Sequence, residues 1–433
     1  MKLQDFSPTD SPTQSQQRDA LRKGLGRAVQ WARAGRLEDD LLLQACQHDW
    51  RFDQQIDDPR APWLWHLMQL LDVVDRFRDP ILHSVKSLPE YDAYQLCDLS
   101  YRYAKRGDTA FREPLYKIVR DEPFSQMPSL GMEQIIQLDG EQGFLFAARA
   151  RAHHAMLNDD GADWWELFLT ATDYLDDARI SELLDSSTDE ELQECRAGWS
   201  DFLKSRKSER KGRSRAYEQR MRAITVGEAL EIIDHDSPRK GFLRGWGRYA
   251  SEIDLAIVLS HLESSEDPGV IERTLRVFGR RATSRFENFI KLCCHDDTQV
   301  RDRAFTALAN NSHPRIREFA IEQLTRCANF DAIELLEKNF EPGDEDRILN
   351  AFYPPDDENH LHWLLLDILN VLEANPEAKR HDLALIAYGL TPCELCRFRA
   401  IELFHQQQAI PDWMREECRD DSNADCRKLV REP

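Results

Sequence analysis

Val300-Arg301-x-x-Ala304-x-x-x-Leu308 returns sixteen residues later as Ile316-Arg317-x-x-Ala320-x-x-x-Leu324, then as Cys396-Arg397-x-x-Ala400-x-x-x-Phe404, and in shortened form as Cys426-Arg427-x-x-Val430. The apolar positions fall four apart, so each copy lays one stripe along one face of a helix. The small Ala lets a neighbouring helix approach closely, and the bulky residue one turn later fills the space that remains. The Arg beside the stripe is placed to snorkel or to pair with an acidic helix cap. Four residues before that Arg stand Asp297, His313, Cys393 and Asn423. Asp and Asn suit an N-cap there, while His and Cys do not. A recurring helical phrase predicts an all-α chain built of stacked units.

Outward from this phrase the composition agrees. The chain has 433 residues, too many for one ordinary compact core, and 31% are charged while Gly and Pro are few. Lys and Arg number 57 against 78 Asp and Glu, a net charge of −21 that disfavours the chain as a whole as a nucleic-acid binder. No apolar run reaches membrane-spanning length, so no membrane role is expected. The start, MKLQDFSPTDSPTQSQQRD, lacks the apolar core of a signal peptide. Ten cysteines without such a signal point to free thiols in a reducing, cytoplasmic setting.

Four segments are expected. Residues 1–16 read as a disordered tail and 17–203 as an irregular array of helical hairpins. Residues 204–224 form a basic linker or helix, with Lys204, Arg206, Lys207, Arg210, Lys211, Arg213, Arg215, Arg220 and Arg222 opposed only by Glu209 and Glu218. Residues 225–433 form the regular array, opened by the capping box Thr225-x-x-Glu228.

The stretch HDDTQVRDRAFTALANNSHPRIREFAIEQL, His295 to Leu324, resembles the HEAT repeat, whose second helix usually opens D-x-x-V-R-x-x-A-x-x-A-L. The resemblance covers residues 265–325 and 391–430. It implies a HEAT-like (armadillo-like) α-α superhelix, a solenoid of antiparallel helix pairs, and it specifies fold far better than function. HEAT arrays serve protein scaffolds, transport receptors and one group of DNA glycosylases. The function expected is therefore a non-catalytic scaffold or adaptor for a protein partner. The alternative is a nucleic-acid-binding or DNA-processing protein using the same basic face.

The contact region expected for an acidic partner follows the basic stretch. It comprises Phe242, Arg244, Trp246, Arg248 and Tyr249, which continue Arg239-Lys240-Gly241, together with Arg280 and Arg281. Interleaved Arg and aromatic residues suit an acidic protein segment or stacked bases. No cofactor is expected. The weak zinc candidate is the set Cys393, Cys396, Cys418 and Cys426. Against it, Cys396 and Cys426 occupy the position of Val300 and Ile316, which a buried thiol fills without a metal. Two other His pairs stand beside acidic runs: His153-His154 before Asp159-Asp160, and His360-x-His362 after Asp356-Asp357-Glu358. Neither spacing presents two ligands from one helical face. No P-loop, G-x-S-x-G, H-E-x-x-H or dinucleotide glycine motif occurs, so no catalytic residue is assigned.

Overall fold

A computed structural model describes residues 6–431 except 125, 128, 159–163, 190, 236–240 and 379–380, and leaves undescribed the side chains of 156–158 and 207–216. All regular structure among the described residues is helical. None of the described helices is long and apolar enough to cross a membrane. The basic stretch lies within one helix, Glu191–Arg222. The side chains of Lys207, Arg210, Lys211, Arg213 and Arg215, as well as Arg239, Lys240, Asp159 and Asp160, lie outside the described set. Two compact units divide between Glu209 and Arg210: residues 8–209 with 411–433, and residues 1–7 with 210–410.

In the first unit the tail expected to be disordered is structured from Pro8 onward. Thr13 and Gln16 form a capping box that starts helix Gln14–Lys23. The Trp31 indole donates to the Thr9 carbonyl at 2.8 Å. Pro62 opens helix Ala61–Leu70, which buries Trp63, Leu64, Trp65, Leu67 and Met68. Its missing N–H costs nothing in a first turn. Two tryptophans of this unit pack on other rings: Trp65 meets Tyr103 edge-on at 4.9 Å, and Trp165 meets Phe202 at 4.8 Å.

Residues 411–433 correct the expected domain plan, because they belong to this unit rather than to an array running from 225. Met414, Cys418 and Cys426 are fully buried. The Trp63 indole donates to the Asp420 carbonyl at 2.9 Å, and the Ser422 amide donates to the Gly24 carbonyl at 2.9 Å. Arg60 donates to the Ser422 hydroxyl. A cleft of about 420 Å³ opens beside this junction, lined by Trp63, His66, Arg419, Asp421, Arg427 and Arg431 among others.

In the second unit the Thr225–Glu228 capping box starts helix Val226–Asp234 as expected. The repeat positions Val300, Ala304, Leu308, Ile316, Ala320, Leu324, Cys396, Ala400 and Phe404 are all buried, at 0 or 1% exposure. Asp297 caps helix Thr298–Leu308 through the amides of Gln299 and Val300. His313, not expected to cap, does so: its ring accepts from the Arg315 amide at 3.2 Å. Cys393 makes no capping bond.

The repeat Arg has a structural task in every copy. Arg301 donates to the carbonyls of His295 and Asp296, six and five residues back, at 2.9 and 3.0 Å. In the first unit Arg427 makes the same grip on Asp421 and Ser422, both at 2.6 Å. Arg317 pairs with the buried Asp344 at 2.7 Å, and buried Arg397 stands 3.9 Å from Glu394. These guanidinium groups hold turn carbonyls and, in Arg317, a buried carboxylate.

Candidate functional site

The basic and aromatic segment forms the short helix Leu243–Tyr249 in the second unit. Leu243, Trp246 and Gly247 face inward at the i, i+3, i+4 spacing of a helix. Trp246 is 2% exposed and its indole donates to the Ile224 carbonyl at 2.9 Å. This corrects its assignment as a contact residue: it anchors the helix from beneath. A Cβ at Gly247 would overlap the Val277 carbonyl oxygen, so this glycine allows the helix to lie against Pro268–Val277.

The other aromatics lie beneath arginines. The Arg220 guanidinium sits 4.9 Å from the Phe242 ring, and Tyr249 has Arg222 at 5.4 Å and Arg248 at 5.6 Å. Arg281 is paired with Glu252 and also donates to the Arg248 carbonyl. Arg244 and Arg280 are exposed; no carboxylate among the described residues lies within ion-pair distance of either, and Glu334 acts on Arg244 only at longer range.

A cavity of about 240 Å³ brings part of this charge together, lined by Gly241, Arg244, Leu275, Arg276, Gly279, Arg303 and Thr306. One carboxylate, Glu272, serves two of its arginines: Arg276 at 2.7 Å and Arg303 at 3.0 Å. Burial, then the like charges of Arg280 and Arg303, lower the pKa of Arg244. The cavity therefore carries surplus positive charge, and an anion entering it would relieve that repulsion.

A second charged feature went unnoticed in the sequence. Glu334, on the 3₁₀ segment Phe330–Glu337, and Asp367, on helix Glu358–Ala374, have carboxyl pKa values pushed up to about 7 and about 8. Burial is the main cause for both. Glu337 and Asp331 add repulsion to Glu334, while Glu334, Asp331 and Glu337 add it to Asp367. The signal was available: Asp367 interrupts the apolar run Leu364-Leu365-Leu366-Asp367-Ile368-Leu369.

Among the described residues the cluster with metal-ligand proximity is His362, Cys393 and Cys396, whose donor atoms lie within 4.8 Å of one another. Cys418 and Cys426 are fully buried in the other unit. His360 remains exposed, and His154 lies beside Glu122 at 3.4 Å. Cys293 is buried and Cys294 exposed, as adjacent positions on a helical turn require.

Comparison with known proteins finds no match: no family model, curated protein or solved structure is significantly similar to the chain.

Proposed function

We propose that the protein is a non-catalytic scaffold, an α-solenoid of HEAT-like helix pairs, that holds a protein partner by an acidic segment docked over Arg244 and Arg280. One observation carries this reading: Arg244 and Arg280 are exposed and make no close ion pair among the described residues, beside a cavity where Glu272 is already shared by two arginines. Paired arginines are already satisfied; unpaired ones beside a concavity present donors to an incoming carboxylate. The repeat supports the solenoid, since its apolar positions are buried and its arginines hold turns. A scaffold of packed helices presents such donors with little ordering cost at binding.

Nucleic acid ranks second. The aromatic faces that stacked bases would need lie beneath Arg220, Arg222 and Arg248, and the chain carries a net charge of −21. Fluorescence anisotropy with a labelled Glu/Asp-rich peptide tests the reading. Binding should appear at low salt, weaken as salt rises, and fall by about tenfold or more in the R244E/R280E variant. Binding that is absent, or equal in the variant, sinks it. Stronger binding of single-stranded DNA than of peptide, with the same dependence on both arginines, replaces it with the nucleic-acid alternative.

A further inference from the structure

We propose that His362, Cys393 and Cys396 form a mononuclear site for a zinc-like ion. The three donors come from two helices. His362 lies in the second turn of Glu358–Ala374; Cys393 immediately precedes Glu394–Gln406, and Cys396 lies in its first turn. A separation of three residues puts both sulfurs on one side of that helix start. His362 Nδ1 stands 3.7 Å from Cys396 Sγ, and all three donor atoms fall within 4.8 Å of one another.

These spacings suit a tetrahedral ion. Zinc–sulfur bonds of about 2.3 Å and zinc–nitrogen bonds of about 2.0–2.1 Å give tetrahedral edges of about 3.6 Å for N···S and about 3.8 Å for S···S. The donor chemistry selects the metal: two thiolates and an imidazole are soft to borderline, right for zinc and wrong for magnesium or calcium. Charge also closes. A divalent ion, two thiolates and a neutral imidazole sum to zero, which the interior tolerates far better than a bare charge. Cys393 and Cys396 are each 1% exposed, whereas His362 is half-buried next to Trp363, which is 60% exposed. The sulfurs thus form the inner wall and the imidazole the outer one.

The repeat sharpens the case. Burial of Cys396 is explained by its apolar position, and His362 adds a nitrogen donor 3.7 Å from its sulfur. Cys393 occupies the capping position held elsewhere by Asp297, His313 and Asn423, each of which caps through its side chain. This copy forgoes a cap worth about 1 kcal/mol and carries a thiol instead. Thr391 Oγ1 accepts from the Cys393 amide at 3.2 Å and so orders the loop that presents the sulfur. A redox disulfide fits less well. Both sulfurs are shielded from an exchange partner, and a disulfide has no use for the histidine. An ion here would pin helix Glu358–Ala374 to helix Glu394–Gln406, bypassing the intervening helix His381–Leu390.

The test is a cobalt titration of the full-length chain, stripped with chelator and kept in a non-thiol reductant. Expected are thiolate-to-cobalt charge-transfer absorption, tetrahedral visible bands, about one cobalt per chain, and displacement by zinc. Cys393→Ser and Cys396→Ser should abolish the bands, and His362→Gln should weaken cobalt binding by about tenfold or more. Cys294→Ser, at an exposed thiol outside the cluster, should leave it unchanged. His362→Gln, at a half-buried position, retains a readable fold if a cysteine variant does not, and circular dichroism checks each. The proposal is overturned by absent charge-transfer bands, by bands that survive loss of Cys393 and Cys396 in folded protein, or by affinity indifferent to His362.

Discussion

Arg27 and Glu417, 390 positions apart in the chain, form a two-pronged ion pair. Arg27 Nε lies 3.1 and 3.0 Å from the two carboxylate oxygens, and Nη2 lies 2.7 Å from Oε2. The Glu417 side chain is fully buried and that of Arg27 is 16% exposed. The pair fastens helix Asp412–Arg419 to helix Arg27–Arg33 inside the first unit.

Glu417→Ala is expected to destabilise this unit by roughly 3–5 kcal/mol, since it leaves a guanidinium buried without its counter-ion. Replacing both partners with Met should recover much of that loss. The exposed neighbour Glu416→Ala should change stability by no more than about 0.5 kcal/mol. Denaturant unfolding of the three variants decides it; equal stability of Glu417→Ala and wild type would show that the pair contributes nothing.

The repeat arginine gives a second prediction. Arg301→Met removes two charge-assisted bonds to the turn at His295 and Asp296, at a cost of about 1–3 kcal/mol. Asp344→Ala should cost more than Arg301→Met, because Asp344 is fully buried and receives Arg317 at 2.9 and 2.7 Å. The order of the two unfolding midpoints is the measurement.

What the sequence disclosed and what it hid follow from how far each signal reaches. The phrase around Val300, Ile316 and Cys396 marks buried positions because helical periodicity acts over a few residues. The same phrase at Cys426 could not say which helices it would meet; the turn before it is held by Trp63 and Gly24, far away in the chain. The composition around Trp246 points to an exposed contact residue, whereas counting from Leu243 puts it on the inner face. His362 was judged with His360, its sequence neighbour, although its spatial partner is Cys396. The solvent-facing Arg244 and Arg280 were readable as basic residues, but only tertiary packing decides which arginines remain without a close carboxylate.

Close helix packing at Gly247 gives a third prediction. Gly247→Ala forces its methyl into the Val277 carbonyl, which is backbone and cannot rotate aside. The expected loss is about 1–3 kcal/mol, against the gain that Gly→Ala normally brings inside a helix. Gly241→Ala, which meets no atom, serves as the control. Thermal unfolding that ranks Gly247→Ala at or above wild type would refute the close approach.

Asp367 and Glu334 make stability depend on pH with a definite sign. In the folded protein their carboxyls titrate at about 8 and about 7, above the ordinary values of 3.8 and 4.5. Between pH 4 and 8 the unfolded chain has already released these protons while the folded chain still holds them. The folded state therefore binds more protons, and the contribution of these groups falls as pH rises through that window. Below it both states are protonated and nothing is lost; above it both are ionised and the penalty is constant. Asp367→Asn keeps the neutral form at every pH, so it should match wild type near pH 4 and exceed it above pH 8 by more than about 1 kcal/mol, the equivalent of one pKa unit. Urea unfolding of both proteins across this range reads the difference directly. Parallel curves would mean that Asp367 ionises normally, and that Glu334, Asp331 and Glu337 do not crowd it.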